Sequence, residues 1–164
     1  MTERRPTGRV EATSTGRDLI LERYFTADVA DVWASITESD RTARWFGSWT
    51  GEPAVGAQVR VTMGFEEGTP EMPMTITICE PPSRLGLQAK DEYGEWNLEA
   101  TIDRDGDRTR LTFVQHLDAA TDPGETGPGW EYYLDALVAA EAGAPLPEFD
   151  EEYFPGMAEY YRSQ

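Results

Sequence analysis

The sequence predicts an α+β fold: a curved antiparallel β-sheet wrapped around one long C-terminal α-helix, with two short helices after the first strand. Three observations predict it. Apolar residues alternate with a period of two over six short segments between residues 18 and 117. The later segments are joined by loops too short for helical crossovers, which excludes a continuous parallel sheet. After Pro128 the apolar period changes to that of a helix.

Asp18 to Phe25 reads as the first strand, with Leu19, Leu21, Arg23 and Phe25 on one face. Asp28-Val-Ala-Asp31 is a capping-box variant, since Asp28 can accept from free backbone N–H groups. The helix it opens places Val29, Val32, Trp33 and Ile36 on one stripe. Ser39 is expected to cap a second short helix over residues 40–46, with Gly47 ending it in a left-handed conformation. Val59, Val61, Met63 and Phe65 then alternate with polar residues. Further strands are expected at Met72–Glu80, Arg84–Ala89, Glu95–Asp103 and Arg108–Leu117. Asp105-Gly106 tolerates positive φ and signals a two-residue hairpin. Pro128 suits a first helical turn, and Trp130, Tyr133, Leu134, Leu137 and Val138 follow at helical spacing until Gly143 and Pro145.

Residues 1–17 carry four Arg against two Glu and show no apolar period, which predicts a flexible basic arm. Residues 18–143 form the domain. Residues 144–164 mix Glu148, Asp150, Glu151 and Glu152 with Phe149, Tyr153, Phe154, Tyr160 and Tyr161, so this extension is expected to pack on the body. In a chain of 164 residues, 39% of them hydrophobic, one substantial core can be buried. The formal net charge of −17 repels phosphate backbones and anionic headgroups, so neither nucleic acid nor a membrane is expected as partner. One cysteine, Cys79, and one histidine, His116, allow no internal disulfide and no zinc site of soft ligands. With no apolar leader or membrane-length run, the reading is a cytoplasmic protein.

A strongly curved sheet gripping one helix can leave an apolar space between them. The residues expected to line it are Met63, Met74, Ile76, Leu87, Trp96, Leu98, Phe113 and Gln115 on strands, and Trp130, Tyr133, Leu134 and Leu137 on the long helix. Trp45 and Trp49 would close one end, and Trp33 is assigned to the core. The indoles offer flat, polarisable surface, and the methionines offer adaptable shape. Arg23, a guanidinium on an apolar face, needs an acceptor: either a ligand carboxylate or carbonyl, or a carboxylate or backbone carbonyl of the protein near the rim.

Val32-Trp33, Arg44-Trp45-Phe46-Gly47, the corner Glu80-Pro81-Pro82-Ser83-Arg84-Leu85, Thr109-Arg110-Leu111-Thr112-Phe113 and Gly129-Trp130-Glu131-Tyr132-Tyr133-Leu134-Asp135-Ala136-Leu137 resemble, in order and spacing, the START-like (SRPBCC) superfamily. Within it they are most similar to bacterial proteins whose domain is named after the activator of the 90-kDa heat-shock protein's ATPase. The resemblance implies a helix-grip fold with a hydrophobic cavity. It spans functions from lipid carriage and hormone binding to polyketide cyclisation and co-chaperone action, so fold does not settle function.

His116 has the opposite parity to Leu111, Phe113 and Gln115 and is expected outside the cavity, which leaves no good base within it. In many relatives a His stands where this chain has Gln115, which could instead donate and accept hydrogen bonds to a ligand. Cys79 reads as a small buried hydrophobe without a catalytic partner. Asp103-Arg-Asp-Gly-Asp107 lacks the glycine placement and final acid of a calcium loop. No catalytic residue, metal or cofactor is therefore assigned. The reading is a monomer or homodimer binding a small lipid-, aromatic- or polyketide-like molecule. The alternatives are a regulatory domain that stimulates a heat-shock ATPase, with a chaperone as partner, and a polyketide aromatase or cyclase.

Overall fold

A computed structural model describes residues 4–64, 66–91 and 94–164; Phe65, expected in an alternating strand, lies outside the described residues. In chain order the elements are β1 (Arg9–Ala12), β2 (Arg17–Phe25), α1 (Val29–Thr37), α2 (Ser39–Thr42), β3 (Ser48–Thr50), β4 (Gln58–Thr62), β5 (Glu71–Glu80), β6 (Arg84–Asp91), β7 (Gly94–Asp105), β8 (Arg108–Leu117), α3 (Pro123–Ala142) and α4 (Ala158–Arg162). The strands form one antiparallel sheet in the order β1-β2-β8-β7-β6-β5-β4-β3. This is the expected curved meander with a long helix on its inner face, and β1 and β3 are strands the sequence did not predict.

The inner face follows from register. Leu19 pairs with Gln115, Leu21 with Phe113 and Arg23 with Leu111, so alternate residues of β2 and β8 stand on one side. Of these, Leu19, Leu21, Leu111 and Phe113 join Leu98 and Ile102 of β7 and Trp130, Leu134 and Leu137 of α3 in the main core. A second cluster, Val59, Val61, Met63, Met74, Ile76 and Ala89, lies at the other end of the sheet.

Several local expectations are corrected. Arg9–Ala12 is not a mobile arm: it pairs with Arg17–Ile20 at the sheet edge, and Thr7 and Gly8 donate backbone N–H groups to Glu131 on α3. A short polar segment gains order here because backbone bonding, not apolar burial, holds it. Asp28 caps α1 as expected, accepting from the Asp31 N–H. Ser39 caps nothing: α2 is capped by Glu38 without a side-chain bond, while the Ser39 hydroxyl accepts from the Trp49 N–H and donates to the Trp49 carbonyl. Gly47 is not left-handed. It is required because a Cβ there would collide with the Thr62 carbonyl oxygen. In the β7–β8 hairpin the central pair is Gly106-Asp107, one residue later than expected, with Gly106 at φ 64°.

The largest shift concerns α3, which starts at Pro123, not near Pro128, with Asp122 accepting from the Gly124 N–H at 2.9 Å. Its Gly-rich first turns are a packing surface. A Cβ on Gly124 would lie 2.6 Å from the Arg162 guanidinium, and one on Gly127 would lie 2.5 Å from the Tyr161 ring. Helix propensity is given up so that α4 can approach. Tyr153, Met157 and Tyr161 of the C-terminal segment are buried there, and Gly143 ends α3 at φ 67°.

Candidate ligand pocket

The two apolar clusters do not meet completely, and between them lies a pocket of about 480 Å³. Val59 and Val61 of β4 and Met74 and Ile76 of β5 wall one side. Leu98, Leu111, Phe113, Trp130 and Leu134 wall the other, and Trp33, Ile36, Trp45, Phe46 and Trp49 close an end. The β5–β6 corner adds Cys79, Pro81 and Leu85.

Cys79 reaches this wall through a break in β5. Ile76 pairs with Leu87, but the register shifts between Ile76 and Ile78, so Cys79 pairs with Leu85. The extra residue reverses the alternation and turns the thiol inward with Met74 and Ile76.

Nine of the expected residues line the pocket: Trp45, Trp49, Met74, Ile76, Leu87, Leu98, Phe113, Trp130 and Leu134. Six do not. Met63 is buried in the second cluster, Leu137 is buried in the main core, and half-buried Trp96 packs against both clusters. Tyr133 packs edge-on against Phe46, ring centroids 5.0 Å apart, and its hydroxyl donates to Glu66 at 2.7 Å. Burial and the neighbouring carboxylate push that phenol's pKa well up, so it remains a donor. Gln115 sits behind the wall, with its Oε1 accepting from the Trp130 indole at 2.8 Å.

Arg23 faces α3, not the pocket. Its guanidinium donates to Glu131 at 2.8 Å, Asp135 at 3.0 Å and the Thr7 hydroxyl at 2.8 Å. Glu131, 1% exposed, also accepts from Tyr161 at 2.5 Å, from the Thr7 hydroxyl and backbone, and from Gly8. Burial alone would raise the Glu131 pKa, yet the bonds from Tyr161, Thr7 and Arg23 outweigh it and hold the carboxylate below its usual range. The acceptor that Arg23 needs is thus the protein's own.

The wall contains little that could do acid–base chemistry. Glu38 is exposed at the rim, and the Glu99 side chain turns toward Arg84 and His116, at 3.7 and 3.8 Å. His116 is exposed on the outer face with Nδ1 2.7 Å from Asp18. Three indole N–H groups are already used: Trp45 donates to the Ser35 carbonyl, Trp49 to the Thr37 carbonyl and Trp130 to Gln115. What remains is apolar ring and alkyl surface. Sequence reasoning missed Trp33 and Cys79 as wall residues; helical periodicity did place Trp33 inward, but nothing in the sequence marks the bulge that turns Cys79. Among the described residues no group of three or more His, Cys, Asp and Glu is placed to hold a metal, and no helix is long and apolar enough to cross a membrane.

A curved antiparallel sheet closed over a long helix, with an apolar pocket between them, is the helix-grip architecture of the SRPBCC proteins. Within that class the chain belongs to the family described as Activator of Hsp90 ATPase homolog 1-like protein, whose model matches residues 26–141. No curated protein matches. Among solved structures it is similar to CalU16 from Micromonospora echinospora, with 24% identity, 98% of each chain covered and a TM-score of 0.80. It is also similar to EF2215 from Enterococcus faecalis, a conserved protein of unknown function, with 19% identity, 95% and 88% covered and a TM-score of 0.75. DynU16, a putative protein in the dynemicin biosynthetic locus, shares 23% identity over 80% of this chain and 50% of its own, with a TM-score of 0.70. At these identities the likeness is one of fold.

Proposed function

We propose that this protein binds a small hydrophobic molecule, aromatic, polyketide-like or lipid-like, in the pocket between sheet and α3, and does so in the cytoplasm as a monomer or homodimer. The carrying observation is the pocket itself: about 480 Å³, walled by Trp, Phe, Leu, Val, Ile and Met side chains whose indole donors are mostly committed elsewhere. That volume suits a drug-sized molecule, and burial of apolar surface would drive its binding. The fold shared with a protein of the dynemicin biosynthetic locus favours an intermediate or product of a biosynthetic route as the ligand. Binding is favoured over cyclisation because an aromatase needs an acid–base pair at the substrate, and of the two carboxylates on the wall Glu38 is exposed while the Glu99 carboxylate lies toward Arg84 and His116.

The test is thermal stability across a panel of lipids, flavonoids and polyketides, since ligand at a hundredfold excess over Kd adds about 2.7 kcal/mol to the folded state. At least one class should raise Tm and slow maleimide labelling of Cys79, the only thiol in the chain. A panel that moves neither quantity refutes the reading. Stimulation of a chaperone ATPase by the unliganded protein would favour the regulatory alternative instead.

A further inference from the structure

Most of the pocket wall is buried or half-buried. Its exposed members are Glu38 at the α1–α2 junction, Pro53 in the β3–β4 loop and Pro81 at the β5–β6 corner, so these three mark the mouth. Glu52 and Glu80, both exposed, adjoin the two prolines in the chain. Glu80 approaches Arg84 only to 3.9 Å, and the Glu38 and Glu52 carboxylates have no ion pair or hydrogen bond among the described residues. No Lys, Arg or His belongs to the wall among the described residues. Arg41 of α2 is committed to Asp31 at 2.8 Å and Glu141 at 2.5 Å, and exposed Arg44 stands outside the wall. The hydrogen-bonding capacity left in the wall has the same bias. The Thr37 hydroxyl donates to the Trp33 carbonyl at 2.7 Å and the Thr42 hydroxyl to the Ser39 carbonyl at 3.2 Å, which leaves both oxygens as acceptors. Three of the four wall indoles have spent their N–H groups, and the fourth, Trp33, carries no charge.

We infer that the mouth selects ligands by charge: a hydrophobic amine, its apolar frame in the pocket and its ammonium beside Glu38, is preferred to a carboxylic acid of the same frame. This rests on the pocket-binding reading above and narrows it, since fatty acids and aryl carboxylates become the disfavoured members of the ligand class. An unpaired carboxylate attracts the cation and repels the anion, so its two effects add when amine and acid are compared. Low-dielectric walls of Trp, Phe and Leu beside it keep solvent from screening the interaction fully.

The experiment titrates the full-length protein with 1-naphthylmethylamine, 1-naphthylmethanol and 1-naphthylacetate, which share one ring frame and differ in charge. Occupancy is read as slowed iodoacetamide labelling of Cys79, a wall residue and the only thiol in the chain. Protection of that thiol separates the pocket from the general attraction of amines to a chain of net charge −17. The wild type should bind the amine about tenfold more tightly than the acid, with the alcohol between them. Glu38→Gln should narrow that ratio to about threefold and leave the alcohol's affinity unchanged. Glu38 is exposed and gives α2 no side-chain bond, so the substitution leaves the fold intact. Glu151→Gln, which removes an exposed acid outside the wall, should keep the wild-type ratio. Equal wild-type affinities for amine and acid, a ratio unmoved by Glu38→Gln, or an equal narrowing by Glu151→Gln would each overturn the charge selection while leaving the pocket reading intact. Failure of all three compounds to protect Cys79 would overturn the two together.

Discussion

The Arg23 guanidinium and the Glu131 carboxylate meet at 2.8 Å beneath the N-terminal segment, with side chains 9% and 1% exposed. Removing one member of such a pair strands the other, at a cost of about 3 kcal/mol. Glu131→Gln should therefore lose about that much stability in urea denaturation at neutral pH. Its pH dependence follows from the lowered pKa. A carboxylate whose folded pKa lies below its unfolded one, about 4.3, contributes stability that is complete above the unfolded value and is lost as pH falls through the folded one. The wild type should weaken on acidification below that point, and the Gln variant should show a shallower acid loss. Parallel acid curves for the two proteins would contradict the bonding assigned to Glu131.

The same carboxylate ties down the chain's beginning. Thr7 gives it a backbone N–H and a hydroxyl, and Gly8 gives a further N–H at 3.3 Å. Deleting residues 1–8 should cost about 2 kcal/mol, since it removes bonds to a buried charge and leaves acceptor capacity unfilled. Unchanged stability would mean that the segment is the free arm its composition suggests.

The architecture was legible because it depends on periodicity. Leu19, Leu21 and Phe25 on one parity, and Trp130, Leu134 and Leu137 at helical spacing, declare which faces are buried. What escaped depends on long-range partners. The polar segment around Thr7 is ordered by Glu131, far along the chain, and Arg23 turns to that carboxylate and away from the pocket. The bulge in β5 has no local signature, yet it decides that Cys79, and not Ile78, joins Met74 and Ile76 on the wall. Ser39 has the composition of a cap, but the Trp49 backbone claims its hydroxyl.

The glycines of α3 separate propensity from packing. A methyl on Gly127 meets the Tyr161 ring at 2.5 Å, whereas one on Gly129 meets nothing within 4 Å. Gly127→Ala should displace α4 and lower stability by about 1 to 3 kcal/mol. Gly129→Ala, in the same helix, should raise it by about 0.5 to 1 kcal/mol through lost unfolded-state freedom. Calorimetry of the pair checks both signs, and a shared sign would mean that α4 does not pack where described.

Ala100 lines the pocket on β7, paired with Phe113 across the sheet. In a filled interior, adding a phenyl ring at such a position forces side chains off their rotamers and costs about 1 to 3 kcal/mol. Against an open pocket of about 480 Å³ the ring has somewhere to go. Ala100→Phe should therefore leave stability within about 1 kcal/mol of the wild type, because the added ring buries its own apolar surface as it occupies empty space. The same ring should exclude whichever compound raises Tm in the wild type, weakening it tenfold or more. Denaturation and titration of one variant thus measure two consequences of one void. A large loss of stability would show that Phe113 and its neighbours already fill the interior, and retained ligand affinity would place the binding site elsewhere on the molecule.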